Sequence, residues 1–292
     1  ASWQLTLGEW LPTLGLTPAQ WQGMLLPWGA ALHNGDIAEA MNISARAAMV
    51  FAAKALPDKP TDPIVYNVLA NGMAEALLRM VAQFSTVQLH TSRAVDAVLR
   101  LSGGGFRLFS GGAGVDVDDL VFAASGEPTQ ALLNGLPGAA LQRAALQGIQ
   151  WFDTRMMLHT DPVYAPGDPR NVSFLNCAVQ GNFCEASMSM AHVLPPAPGA
   201  GAPPALWKSW VTHRQALPTQ VLHEAHYRHL LPTPASIRAQ DKLRALQGQG
   251  GVWFAGGYTH PYDSQETALL SAMAVADGLG VATARRAALR RR

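Results

Sequence analysis

A mixed α/β fold is predicted by three features of the sequence. Near the C-terminal end, the apolar run Gly251-Val-Trp-Phe-Ala-Gly-Gly-Tyr258 closes on paired glycines. A polar loop with Pro261 follows, then Leu269, Leu270, Met273, Ala276 and Leu279 at helical spacing. This is the pattern of a buried strand, a crevice loop and a helix. Upstream, short apolar or alternating runs are punctuated by glycine clusters, as in strands joined by hairpins. Before these stands a block with helical spacing over residues 5–55.

Length and composition bound what these elements can do. A chain of 292 residues, 49% of them apolar, can bury a sizeable core as one large domain or two intermixed ones. A net charge of +1 gives no general case for nucleic acid. The charge is unevenly placed, since Arg285, Arg286, Arg290, Arg291 and Arg292 fall together in the last ten residues. Such a tail reads as solvated, with contact to an anionic membrane surface as the alternative. No apolar run approaches the roughly 18 residues of a spanning helix, and Ala1-Ser-Trp-Gln has no basic region of a signal peptide. Two cysteines, Cys177 and Cys184, are too few for a disulfide framework. They read as buried thiols on adjacent strands, and a cytoplasmic location is expected.

Taken in order, Thr17-Pro18 is an N-cap followed by proline at the first helical position, and it sets Trp21, Met24, Leu25 and Trp28 on one face. A second helix after Asn34-Gly-Asp36 carries Ile37, Met41, Ala45, Ala48 and Phe51. Such stripes suit a core or the wall of an apolar substrate cavity. Pro57 to Pro63 is a loop, followed by a strand from Val65, a glycine turn at Gly72 and a helix. Strands are expected at 87–90, 94–101, 106–110 and 115–123. The glycines at 103–105 and 111–114 join strands and match no phosphate-loop spacing, so they read as hairpin turns. Helices near 128–133 and 139–146 precede strands at 154–160, 172–178 and 183–190. Beyond a Pro/Ala/Gly loop at 195–204 come strands at 206–211 and 220–227 and a helix at 235–247.

Phe254-Ala-Gly-Gly-Tyr258 with Glu266-Thr-Ala-Leu-Leu-Ser-Ala272 resembles the C-terminal flavin-binding signature of the flavin amine-oxidase superfamily. Three further segments are similar to that family in the same order: Asn71-Gly-Met-Ala-Glu-Ala-Leu77, Val95-Asp-Ala-Val-Leu-Arg100 and Asp118-Asp-Leu-Val-Phe-Ala-Ala124. Leu158-His-Thr-Asp-Pro162 and Ser209-Trp-Val-Thr-His-Arg214 resemble one branch, the predicted NAD/FAD-binding proteins associated with cyclopropane-fatty-acid synthases. The resemblance covers roughly residues 5–282. It implies an α/β (mixed α+β), two-domain, FAD-binding flavoprotein fold of the amine-oxidase type. The strand–GxGxxG–helix that holds the ADP half of FAD is missing from this sequence. An N-terminal dinucleotide-binding segment, or a second chain with that fingerprint, is therefore expected. The implied division is 1–64 and 126–247 for a substrate domain, 65–125 and 248–282 for the FAD domain, and 283–292 for the basic tail.

By the same resemblance, FAD is held noncovalently against Val95, Ala124, Gly256, Gly257, Glu266, Thr267 and Ala268, with Tyr258 and His260 as the catalytic candidates. No cysteine or histidine sits in a recognisable flavin-attachment motif. The implied activity is an FAD-dependent oxidoreductase of dehydrogenase, oxidase or desaturase type. Its substrate would be an apolar small molecule such as a fatty acyl or isoprenoid chain. A flavin amine oxidase is one alternative. It is disfavoured because Phe152-Asp-Thr-Arg155 has no lysine where amine oxidases keep one, and Ser264 replaces their aromatic residue. A non-catalytic subunit completing a partner's fold is the other. His159 and Asp161 read as a hydrogen-bonded pair or a general base. His223, His226 and His229 lie on a predicted strand that scatters them over both faces, against a metal site.

Overall fold

The computed structural model describes residues 1–280 except 34, 56, 58, 60, 63, 64, 66, 197 and 198, with backbone only at 51, 52, 54 and 55. The arginine tail and the side chain of Phe51 lie outside the described residues. The chain forms two compact units, each built from separated stretches. The first comprises Leu5–His90 and Phe152–His229; the second comprises Ser2–Gln4, Thr91–Trp151 and the chain from Leu230 onward.

The first unit begins with short helices: α1 (Leu7–Trp10), α2 (Pro18–Gln20), α3 (Leu26–Ala31), α4 (Ile37–Ala40) and α5 (Ala45–Ala55). Reciprocal capping explains two of the starts. Thr6 and Glu9 satisfy each other's backbone at α1, and Thr17 and Gln20 do so at α2, where proline takes a position that needs no N–H. Between α2 and α3 the chain widens into a π-helical turn, Trp21–Leu25. Pro27 has no N–H to give an ordinary helical bond there, and the wider turn accommodates the loss. Leu7, Leu11, Ala30, Ile43, Ala47 and Ala48 are fully buried in this block.

In α6 (Gly72–Val81) no residue is buried, and Met73, Leu77, Leu78 and Met80 are exposed. No strand forms at 65, 67–69 or 87–90; Val68, Leu69, Val87 and Leu89 are exposed instead. β-Branched residues favour a strand only where a neighbouring strand offers pairing and cover.

The rest of this unit is antiparallel sheet. It contains β5 (Gln150–His159), β6 (Leu175–Gln180), β7 (Phe183–Ser189), β8 (Trp207–Trp210) and β9 (Val221–Leu231), in the order β6-β7-β8-β5-β9. Cross-strand partners such as Ser187↔Ser209 and Met156↔Trp210 fix the register. Cys177 was expected to be buried, but β6 is an edge strand and Cys177 is exposed, whereas Cys184 is buried.

In the second unit, β1 (Ala97–Arg100), β2 (Phe106–Ser110) and β3 (Ala113–Val117) form an antiparallel meander. The glycine clusters make its turns. Gly105 needs its positive φ of 76°, and a Cβ there would press on the Val117 carbonyl. The strand expected at 115–123 is split at Asp118-Asp119. Beyond the split, β4 (Leu120–Phe122) leaves the meander and pairs in parallel with β10 (Val252–Phe254), placing Phe122 opposite Phe254. Helices α7 (Gly126–Asn134), α8 (Ala140–Gln147) and α9 (Pro234–Ala245) pack onto this pair through Leu133, Leu146 and Leu243, all fully buried. Thus α7 to α9, expected with the substrate domain, belong to the core that contains β10. The last helix, α10 (Gln265–Gly278), starts at the Ser264 N-cap.

Burial depresses two histidines of the first unit. His33 and His159 both have pKa values below the ordinary imidazole value of 6.5, with desolvation as the largest cause. The unfolded chain therefore binds more protons below that value. The stability these neutral rings contribute is present above pH 6.5 and lost as pH falls through their folded values. Denaturant melts at pH 7 and pH 5 should show lower stability at pH 5; an equal or higher value would show that these rings are not held neutral.

Candidate functional site

The ends of β4 and β10 bring several of the expected residues together. Phe122 and Phe254 stack with ring centroids 5.8 Å apart. Beyond them, Ala124 and Gly256 leave the pair at the same end of two parallel strands. In open α/β sheets, ligand crevices lie at the carboxyl ends of the strands. Ala124 is exposed, and its carbonyl accepts the Thr129 hydroxyl at 3.3 Å.

Gly256 adopts φ 134° and ψ 161°, a region open essentially only to glycine. Its N–H donates to Ser271 Oγ on α10 at 2.7 Å. A Cβ on Gly256 would meet the Tyr258 ring at 2.9 Å, and one on Gly257 would run into the Asp263 carboxylate. Gly256 is thus required by its backbone and packing, whereas a side chain at Gly257 would have to displace the exposed Asp263 carboxylate.

Tyr258 is buried, and its hydroxyl donates to the Phe122 carbonyl at 3.2 Å. Burial pushes its pKa well above the ordinary phenol value, so the ring remains protonated. It ties the turn to β4 and has no open acid–base face. His260 is only half-buried. Its pKa lies below the usual value, chiefly through burial and further through the Arg244 charge, so the ring is neutral near pH 7. His260 Nδ1 lies 3.0 Å from Thr259 Oγ1.

At the start of α10, Ser264 and Thr267 satisfy each other: Thr267 N donates to Ser264 Oγ at 3.1 Å and Ser264 N to Thr267 Oγ1 at 3.0 Å. The Thr267 side chain is therefore buried in its own cap. Glu266 is exposed and Ala268 half-buried. Val95 stands apart from this cluster: it precedes β1, on the separate meander, and is exposed.

Sequence reading missed what holds the turn. Three side chains of one helical stripe on and just beyond α9, Gln240, Arg244 and Gln247, reach it. Gln240 Nε2 donates to the carbonyls of Tyr258 (2.9 Å) and His260 (2.5 Å). Arg244 donates to the Thr259 carbonyl at 2.6 Å. Gln247 brackets Phe254, accepting from its N–H at 2.8 Å and donating to its carbonyl at 2.7 Å. The i, i+4, i+7 spacing of polar residues on a helix was the available signal. A groove of about 440 Å³ lies alongside, lined by Arg244, Gln247, Trp253, Thr259, His260 and Ser271 among others.

Gln240 is fully buried, so Gln240→Ala leaves two carbonyls without a donor. The expected loss is about 2 kcal/mol of stability, from the usual penalty for unmet buried polar groups, with faster proteolysis of the 256–263 turn. Denaturant melts check this; a change under about 0.5 kcal/mol, the level of an ordinary surface substitution, would show that the clamp does not hold the turn.

Elsewhere, His159 does bond to Asp161, but through the backbone: Nδ1 lies 2.7 Å from the Asp161 carbonyl and Nε2 2.8 Å from Ser209 Oγ. The Asp161 carboxylate instead accepts from Thr219 and Val163. His223, His226 and His229 lie on β9, and no metal-binding cluster occurs among the described residues. No described helix is long and apolar enough to cross a membrane.

No protein-family model and no curated protein sequence matches the chain. Solved structures do match. One is a CLA-producing fatty acid isomerase from P. acnes: TM-score 0.62, 13% identity, 95% of this chain and 67% of that one covered. A putrescine oxidase variant matches with TM-score 0.57 and 13% identity, over 95% of this chain and 68% of that one. Cyclohexylamine oxidase from Brevibacterium oxydans matches with TM-score 0.52 and 12% identity, over 96% and 69%. The chain spans about two thirds of the length of these proteins. At such identities the likeness concerns the fold, which is the mixed α/β fold of the amine-oxidase type.

Proposed function

We propose that the chain is part of an FAD-dependent oxidoreductase acting on an apolar small molecule such as a fatty acyl or isoprenoid chain. In this reading FAD binds noncovalently at the ends of β4 and β10, beside the start of α10. The observation that carries it is the meeting there of Ala124, Gly256, Gly257, Glu266 and Ala268. Ala124 and Glu266 are exposed and Ala268 half-buried, so small or backbone-presenting positions line the accessible side. A flat ring fits such a surface, and a helix start favours its electron-rich edge.

FAD supplies the hydride acceptor when bound. The chain's own residues would orient substrate and exclude water. Of the two catalytic candidates, only His260 combines a partly exposed ring with a neutral state near pH 7, which fits a proton acceptor. The occurrence of a fatty acid isomerase among the neighbours in fold fits an apolar substrate, and the sequence lacks the lysine of amine oxidases.

The reading includes a covering partner: an N-terminal dinucleotide-binding segment or a second chain bearing GxGxxG. Leu77, Leu78, Phe84 and Leu89 in the first unit, and Val121, Leu269 and Leu270 in the second, are each at least 40% exposed. Soluble monomers rarely leave so many large apolar side chains uncovered in clusters.

Purification from the native source tests both parts. The protein should co-elute with the GxGxxG-bearing polypeptide, on the same chain or another. It should also carry flavin absorbance that acid precipitation releases. Ala124→Trp, at an exposed position, should abolish flavin retention while leaving helix content unchanged. A colourless, folded complete protein would end the proposal, and unchanged flavin content in Ala124→Trp would remove the site.

A further inference from the structure

The five-stranded sheet of the first unit has one face whose composition the flavin site does not explain. Side chains alternate across a strand, so the register sorts them by side. Lys208 of β8 stands opposite Met188 of β7 and Leu158 of β5, and Trp210 stands opposite Met156, which puts all five on one side. Phe152 shares that side of β5 by the same alternation. Its ring stacks on His229 with centroids 5.5 Å apart, and His229 meets the Tyr227 ring at 5.9 Å. From Leu158 to Phe152 the strip is about 20 Å long, at roughly 3.4 Å per residue. Phe152, Met156, Leu158, Met188 and Trp210 are half-buried and Tyr227 is exposed, so the strip keeps an open side. The other charged residues of β5 and β7, Asp153, Arg155 and Glu185, alternate to the opposite side. Lys208 is half-buried, and among the described residues it makes no hydrogen bond and no ion pair. Trp210 Nε1, on the same side, is buried with no hydrogen-bond partner. A lysine at a sheet rim can lay its stem on apolar surface and keep its ammonium in water. Lys208 is not at a rim: β8 is the central strand, with Met188 on one flank and Leu158 on the other.

We propose that this face binds a fatty acid, with Lys208 taking the ionised carboxylate and the strip from Leu158 to Phe152 bedding the tail. The proposal rests on the oxidoreductase reading for the apolar substrate and narrows it to a free acid, against an isoprenoid hydrocarbon or an acyl ester. A carboxylate supplies what the face lacks: a counter-charge for Lys208 and an acceptor for its N–H donors. Among methionine, leucine and tryptophan side chains that pairing is less screened than on an open surface. The tail, in turn, removes apolar side chains of the strip from water. Met156 and Met188 are unbranched and adapt to a flexible chain. An alcohol of the same length keeps the tail contacts and loses the charge. Lys208 therefore decides which end of the chain lies at β8. A chain anchored there presents carbons at a fixed distance from its carboxylate to any reacting group.

The test is isothermal titration calorimetry on the complete protein, with dodecanoate and dodecanol as probes below their solubility limits. Dodecanoate should bind about tenfold or more tightly than dodecanol, the usual worth of a hydrogen bond to a charged group. Lys208→Met, which keeps an apolar side chain of similar reach, should abolish the preference by weakening dodecanoate alone. Lys208→Arg should retain it. Lys208→Gln gives the same readout as Lys208→Met should the latter fail to fold. Equal affinity for the two probes, binding of neither, or an acid preference that survives in Lys208→Met or Lys208→Gln would overturn the proposal. Flavin absorbance recorded on the same samples separates the two readings. A flavin-bearing protein without the acid preference ends this inference alone, whereas a colourless protein with Lys208-dependent binding of dodecanoate ends the flavin reading alone.

Discussion

Glu185→Ala should destabilise the first unit by about 3–5 kcal/mol, the range for breaking a buried ion pair from one side. Glu185 and Arg214 face each other with both side chains almost wholly buried, Nε and Oε2 being 3.6 Å apart. Glu185 Oε1 also accepts the N–H groups of Thr212 (2.8 Å) and His213 (3.2 Å), tying β7 to the segment after β8. Arg214 donates to Ser187 Oγ (2.9 Å) and to the Glu185 carbonyl (2.6 Å), and its guanidinium lies 3.7 Å from the centre of the Tyr164 ring. Desolvation pulls the Arg214 pKa down from its usual value, the sign of a cation held away from water. Removing the carboxylate leaves that cation uncompensated and two backbone donors unmet. Glu185→Gln keeps acceptors for the two N–H groups and should lose less, while pairing Glu185→Ala with Arg214→Met should recover much of the loss. Equal losses for Ala and Gln would show that the charge, and not the hydrogen bonds to the two N–H groups, sets the cost.

Gly256→Val should be nearly as damaging, by about 3–4 kcal/mol. A backbone at φ 134° costs a side-chain-bearing residue about 1–3 kcal/mol. Overpacking against the Tyr258 ring, 2.9 Å from an ideal Cβ, adds about 1–3 kcal/mol. A β-branched residue can relieve neither by rotating. The turn can escape only by giving up the Gly256–Ser271 bond, which links it to α10. Thermal melts of the variant and of a Ser271→Ala control measure this. Equal Tm values for Gly256→Val and wild type would mean that the turn takes another backbone path.

The β10–turn–α10 element was legible because three local signals agree there: an apolar run short enough for a strand, glycines that permit the unusual backbone, and apolar residues at helical spacing. The strands at 106–110 and 183–189 were legible for a like reason, since glycine turns bracket them. What escaped was set by tertiary partners. Val65, Val68, Val87 and Leu89 have strand-forming side chains but are exposed, with no described strand beside them. Asp118-Asp119 divides β3 from β4 because the chain changes sheets there, and local sequence does not announce a change of partner. Cys177 is as apolar as Cys184, but only the sheet order shows it to be on an edge. The Gln240–Arg244–Gln247 stripe was visible as spacing, yet a polar stripe on a helix ordinarily faces water. Its inward role depends on carbonyls contributed by a turn that comes later in the chain.

The parallel pairing of β4 with β10 also governs when this protein can fold. Leu120 and Val252, which register against each other, are separated by all of Phe152–His229, one of the two long stretches of the other unit. A ribosome that has released β4 must synthesise that entire stretch before β10 exists to meet it. Until then Phe122 has no partner ring, and Leu133 and Leu146 have only part of the core they bury against. Pairings at such sequence separation form late and slowly, because the intervening chain must be closed into a loop first. The Phe152–His229 stretch, in contrast, carries the β6–β7 hairpin and its neighbours as a continuous piece that can order while still tethered. During synthesis, a waiting β4 therefore leaves apolar side chains uncovered, the kind of surface that chaperones shield.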